Sequence, residues 1–340
     1  MTALRVLDLS RTALQSSPET LGCLKHLVCL RLCSVPIKRL PNSITTLTNL
    51  QILDLYGSQI TKLPSSISKL TSLKLLDVTF CEHLQCMPYG ISNRTSLEYL
   101  DTNNSPNIAW NKCRKGQLLI NDLGTLDQLK RLGLKNNGKM IRGMLGSMKQ
   151  IKSLHLSLTD MENLPQDMAS MSKLRKLCLS CPQLLQIENS FCGFQHLSYI
   201  RLFNCGTLKL PALHMLPSLK HLNIVACPNI EKFPKEFAKD TAFPNLEVFS
   251  MVEMRKLQQL PIVEGEALCS LKTLTRIKSE ALQMLPQCYW NLKSVEKISV
   301  LMLKGSTCHG RGRNVYQDKD QGANISIIYH RNSSIRRALL

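Results

Sequence analysis

The chain has 340 residues, 44% of them hydrophobic and only 5% aromatic, with fourteen cysteines and a formal net charge of +19. The apolar share is enough for an extended core, and the shortage of large rings means that aliphatic layers must fill it. Met1 to Leu9 lack a basic start, an apolar run and a small-residue cleavage site, and no charge-free apolar stretch reaches about 18 residues. A secretory leader and a membrane span are therefore not expected, and the chain reads as soluble and cytoplasmic, with the nucleus as a second location. The positive charge would attract nucleic acid, an anionic membrane or an acidic protein surface, without choosing among them.

From the N-terminus onward one motif recurs: an apolar residue, then others three and five places later, as in Leu50, Leu53 and Leu55. Its starts fall at Leu4, Leu27, Leu50, Leu73, Leu97, Leu129, Ile151, Leu174, Leu197, Leu219, Leu246, Leu271 and Val295, thirteen in all. The intervals are 22 to 27 residues except for one of 32. That period is the signature of an α/β leucine-rich-repeat solenoid, or horseshoe. A parallel β-sheet lines its concave face, and short helices, 3-10 turns and loops make the convex return. The repeats are expected over 1–303, followed by an irregular basic tail over 304–340 in which the run from Asn324 to Tyr329 adds a terminal strand.

Alternation along each strand puts the leucines in the core and the residues between them on the open face. At the fifth place of the motif that face reads Asp8, Arg31, Asp54, Asp77, Asp101, Gly133, His155, Cys178, Arg201, Asn223, Ser250, Thr275 and Ser299. Carboxylates dominate the first five repeats, where Tyr56 joins the column, and basic or neutral residues follow. Where the chain turns out of the strand, a small polar partner for backbone groups is needed. Thr12, Ser58, Cys81, Ser105, Asn137, Thr159, Cys205 and Cys227 hold that place, so most cysteines read as reduced structural thiols. Leu-Pro pairs such as Leu40-Pro41, Leu63-Pro64 and Leu164-Pro165 punctuate the return, where proline's fixed backbone angle and missing donor do no harm.

The 32-residue interval between Leu97 and Leu129 carries Trp110, Lys112, Arg114 and Lys115. Two readings stay open: a contact loop on a rigid scaffold, or a loop whose Trp110 tucks into the adjacent repeat. Lys and Arg outnumber Asp and Glu thirteen to five between Lys112 and Lys176. Arg131, Lys135, His155 and Lys176 should project from the strands there, with Tyr199, Arg201, Phe203 and His221 just beyond. This mixed cationic and aromatic surface is the best candidate for docking a protein.

Other chemistry finds little support. Gly133-Leu-Lys-Asn-Asn-Gly138-Lys139 resembles a phosphate-binding loop, but Met140 stands where the magnesium-binding hydroxyl belongs and Gly133 lies inside a strand. Cys178-x-x-Cys181 has no second pair at zinc-finger spacing. The Asp column is a flat ladder open to water rather than a catalytic cleft. Nucleic-acid readers carry aromatic and glycine signatures that are missing here. The expectation is a non-enzymatic chain with no metal and no cofactor.

Leu4-Arg5-Val6-Leu7-Asp8-Leu9-Ser10, the returns around Ile37 and Ile60, and Ala226-Cys227-Pro228-Asn229-Ile230-Glu231-Lys232-Phe233-Pro234 resemble the repeats of plant NLR (NB-ARC-LRR) disease-resistance proteins over roughly residues 1 to 303. The resemblance implies a recognition and autoregulatory domain acting in defence. Its partner would be a pathogen effector, a guarded host protein or the family's nucleotide-binding switch domain. Since no such domain is encoded and the first repeat lacks a cap, a fragment of such a receptor is expected. The acidic N-terminal repeats would then face the switch. A free-standing scaffold similar to Ras-group repeat proteins, or the substrate-recruiting arm of a ubiquitin ligase, are the alternative readings.

Overall fold

A computed structural model of the chain describes residues 3–92, 96–109, 120–136, 141, 143–184, 193–206, 213–279, 281–282, 284–303 and 324–330, of which 121, 136, 301–303 and 324–330 are described by their backbone alone. Two compact units result, one from Met1–Thr159 with Pro165–Leu174, the other from Asp160–Leu164 with Arg175–Leu340.

The first unit contains β1 (Val6–Asp8), β2 (Cys29–Arg31), β3 (Ile52–Asp54), β4 (Leu75–Asp77), β5 (Tyr99–Asp101), β6 (Arg131–Asn136) and β7 (Ser153–Leu158). They pair in parallel and in chain order, residue for residue along the motif: Val6 with Cys29, Asp54 with Asp77, Tyr99 with Arg131. The second unit contains β8 (Lys176–Ser180), β9 (Tyr199–Phe203), β10 (His221–Val225), β11 (Val248–Val252), β12 (Thr273–Ile277) and β13 (Lys297–Leu303), again parallel and in order. Strand β14 (Asn324–His330) runs antiparallel on β13. Each of β1 to β13 begins two residues after a predicted start, so the repeat spacing and the observed register agree.

The core follows from the alternation. Leu50, Leu53 and Leu55 are buried from the strand side, and Ile60, Leu63, Ile67 and Leu70 bury from the return side of the same repeat. Removing such a leucine costs about 2–5 kcal/mol, since its neighbours close the hole only in part. In the second unit Phe233, Phe237, Phe243 and Phe249 replace aliphatic packing locally, with ring centres 4.5 to 5.7 Å apart.

Prolines stand immediately before the return turns rather than within them. Pro41, Pro64, Pro88 and Pro165 each precede a 3-10 turn, and Pro286 precedes the short helix α1 (Gln287–Asn291). Proline's missing donor falls where no partner is needed, while its carbonyl accepts the amide three residues on, as from Ile67 to Pro64 at 3.1 Å.

The turn-out position behaves as a hydroxyl and thiol ladder. Ser105 Oγ donates to the Val78 carbonyl at 2.7 Å and accepts from the Cys81 amide at 3.0 Å. Cys81 Sγ in turn donates to the Leu55 carbonyl at 3.0 Å. Burial pushes the Cys81 thiol up to about 11, which suits a structural group and not a nucleophile. Cys181, Cys205 and Cys227 are likewise buried.

Candidate docking face

On the open sheet face of the first unit, the fifth-place aspartates turn out to hold the backbone. Asp8, Asp54 and Asp77 each accept with Oδ1 the amide two residues on, from Ser10 at 3.0 Å, Tyr56 at 3.1 Å and Thr79 at 2.8 Å. These are Asx turns, and they stop the strand at the aspartate. One residue further the backbone enters the left-handed region at Arg11, Ser34, Gly57, Phe80 and Asn104. The carboxylate column thus has a structural duty that its sequence position alone did not disclose, although each Asp two places before a turn was the available signal.

Asp101 departs from the expected open ladder, because it is only 4% exposed. Its Oδ1 accepts from the Asn103 amide at 3.0 Å and from Asn103 Nδ2 at 2.6 Å, and Arg131 lies 3.7 Å from Oδ2. The register partner Gly133 explains the space: a Cβ there would fall onto the Asp101 carboxylate and the Asn103 amide. Tyr99, which the sequence reading passed over, ties the group together. Its hydroxyl donates to Asp77 Oδ2 at 3.3 Å, and the Arg131 guanidinium sits 4.7 Å from the centre of its ring. Burial, then the Asp77 and Asp101 charges, hold the Tyr99 hydroxyl protonated well above its ordinary range. Burial also raises the Asp77 carboxyl.

Elsewhere in the first unit Arg31 lies 3.9 Å from Asp8. Tyr56 and Phe80, each 42% exposed, meet edge to face with ring centres 5.4 Å apart. Lys135 pairs in register with Ser157, and His155 with Gly133. Trp110, Lys112, Arg114 and Lys115 lie outside the described residues, as do Gly138, Lys139 and Met140 of the rejected phosphate-loop motif.

The second unit brings together Lys176, Tyr199, Arg201, Phe203 and His221. Register aligns Lys176, Tyr199 and His221 in one row across β8, β9 and β10, and Cys178, Arg201 and Asn223 in the next. Lys176 Nζ lies 4.6 Å from the centre of the Tyr199 ring, and that ring is 6.0 Å from His221. The Arg201 guanidinium lies 5.8 Å from the Phe203 ring, which is 43% exposed. Strand alternation therefore presents two cations, each held against an aromatic face. Cys178 is buried, and among the described residues no cluster of three metal-ligating side chains occurs.

At the strand entry of the same unit Glu247 bridges Lys220 and Lys272, each at 3.0 Å, beside an open cleft of about 560 Å³. Hydrogen bonds from Lys272 and Lys220 lower the Glu247 carboxyl to about 2. It stays ionised in ordinary buffers, so the cleft holds a surface ion triplet and not a proton donor. No helix among the described residues is long and apolar enough to cross a membrane.

Comparison with known proteins agrees with this geometry. Among curated proteins none matches the chain in sequence. Among solved structures, the plant peptide hormone receptor RGFR1 in complex with RGF2 is similar at 19% identity, over 87% of this chain and 47% of that one, with a TM-score of 0.53. The functional domain of InlJ from Listeria monocytogenes is similar at 17% identity, over 84% and 62%, with a TM-score of 0.52. The ectodomain of the membrane receptor kinase GASSHO1/SCHENGEN3 from Arabidopsis thaliana, in complex with CASPARIAN STRIP INTEGRITY FACTOR 2, is similar at 19% identity, over 88% and 38%, with a TM-score of 0.51. This chain spans less than two thirds of each of those chains, and at such identities the likeness is one of fold. A family model described as a leucine-rich repeat region matches residues 1–274, and with thirteen parallel strands in the repeat register the chain belongs to that family.

Proposed function

We propose that the chain is the recognition domain of a plant disease-resistance receptor of the NLR type, working in the cytoplasm and docking a protein through the open face of its second unit. Solenoids of this family are protein-interaction modules. The observation that carries the choice of face is the pair of cations laid over aromatic rings, Lys176 on Tyr199 and Arg201 on Phe203. Rings and guanidinium groups of this kind are enriched at the centres of protein interfaces. The acidic column of the first unit supports this choice, because its carboxylates are engaged by backbone amides, Tyr99 and Arg131. Two of the similar structures are receptors in complex with RGF2 and CASPARIAN STRIP INTEGRITY FACTOR 2, which supports ligand capture as a use of the fold.

The test changes Lys176, Tyr199, Arg201 and Phe203 together to alanine and compares the proteins retained from plant extract by the variant and the wild-type chain. Loss of the retained proteins with an unchanged circular dichroism spectrum is the expected result. Equal retention would move docking to another surface.

A further inference from the structure

The cations of the two units differ in what neutralises them. In the first unit Arg31 and Arg131 lie 3.9 and 3.7 Å from the carboxylates of Asp8 and Asp101. In the second, among the described residues, Lys176 and Arg201 have no carboxylate within 4 Å. What holds each of them is a ring face, which attracts the charge but leaves the strong N–H donors without an anionic acceptor. The residues that flank Arg201 across the sheet, Cys178 and Asn223, and Tyr199 opposite Lys176 are not acidic side chains that would cancel these charges.

Their placement sets a spacing. Lys176 leans from β8 to the ring of Tyr199, the first residue of β9, whereas Arg201 leans along β9 to Phe203, its last residue. The backbones of Tyr199 and Phe203, four extended residues apart, are separated by roughly 13 Å, which sets the scale between the two cation–ring pairs. In an extended partner, side chains on one face recur every second residue, so acids at i and i+4 lie at about the same separation.

Accepting that this face docks a protein, we infer that its ligand is an extended acidic segment carrying Asp or Glu at positions i and i+4, one carboxylate for Lys176 and one for Arg201. Nucleic acid fits less well, because its affinity grows with the number of phosphates neutralised, and among the described residues only two cations are held against rings on this face.

The experiment titrates the full chain into fluorescent blocked nonapeptides of Ser and Thr with Asp at positions 3 and 7, with Asp at 3 and 6, or with Asn at 3 and 7. A dT12 oligonucleotide is the fourth probe. The first peptide should bind about fivefold more tightly than the other two, and Lys176→Gln with Arg201→Gln should remove that preference. Equal binding of the three peptides, a preference that survives in the double variant, or tighter binding of dT12 would overturn the inference. A Tyr199→Ala, Phe203→Ala variant separates the two levels. Retention of extract proteins that is lost in this variant but kept in the glutamine variant leaves the docking face standing and removes the acidic ligand. Retention kept in both removes the face as well.

Discussion

The two units build the same repeat, and the five N-terminal strands of the first end sooner than β6 and β7 of that unit or the strands of the second. In β3 and β4 the seventh-place amide would reach back to the preceding strand, but the fifth-place aspartate takes it, and the strand stops after three residues, as β1 also does at Asp8. In β9 to β12 that place holds Arg201, Asn223, Ser250 and Thr275, and the strands run for five residues, with Phe203 still paired to Val225. The turn-out ladder answers in kind. Freed carbonyls in the first unit accept short bonds, 3.0 Å from Cys81 and 2.7 Å from Ser105, whereas Cys205 and Cys227 reach only 3.9 Å to the corresponding carbonyls of the second unit. A fifth-place aspartate therefore ties the open face to its own backbone in these repeats, although β2 stops as early with Arg31 at that place, and the longer strands leave their fifth-place side chains for a partner.

The largest test of that contrast is Gly133→Ala. Its methyl group would displace Asp101 and Asn103, and we expect a loss of about 3 kcal/mol in urea unfolding. Pairing it with Asp101→Ala should restore part of that loss, because the clash and the carboxylate leave together. A loss below about 1 kcal/mol would mean that the buried group adapts, and that the two units differ less than their geometry indicates.

Smaller is the effect of Asp77→Ala, which strands the Thr79 amide and the Tyr99 hydroxyl, at about 1–2 kcal/mol. The matched change Asn223→Ala in the second unit should cost under about 0.5 kcal/mol, as expected of a position without a capping duty. Equal costs would erase the distinction between capped and open columns.

Acid should act in opposite directions through Asp77 and Glu247. The folded carboxyl of Asp77 is raised by burial, so ionising it opposes folding, and stability rises as pH falls through its folded value towards the ordinary 3.8. Glu247 is lowered to about 2 by Lys272 and Lys220. Its contribution is complete above the ordinary 4.5 and is lost as pH falls from there to about 2. Carboxyl carbon titrations should place Asp77 above 3.8 and Glu247 near 2, and Glu247→Gln should match wild-type stability only at the acid end. A Glu247 titration near 4.5 would show that its two lysines do not hold it.

Much of this was legible in the residues. The starts from Leu4 to Val295 locate thirteen strands because a leucine in the wrong phase would leave the core. Lys176, Tyr199, Arg201, Phe203 and His221 could be gathered on one face because the repeat number supplies the register. Asp101 was misread as open, since its burial depends on Gly133, Asn103 and Arg131 together, and no single repeat contains them. The left-handed position was hidden for another reason. Its occupants include Arg11, Phe80, Ala226, Glu253 and Lys278, none of which marks such a turn, and the conformation is imposed by a ladder bond such as Phe80 N–H to the Asn103 carbonyl at 3.0 Å.

The residue-for-residue pairing has a further consequence for how such a surface could change. Tyr99 faces Arg131 although 32 residues separate the starts of their repeats, and His221 faces Val248 across an interval of 27. Extra length between repeats leaves the strand register unchanged. Within each unit the face therefore acts as a ruler whose graduations, about 4.8 Å apart, stay put while segments behind them are lengthened or exchanged. Variation can rewrite one mark at a time without re-spacing the others.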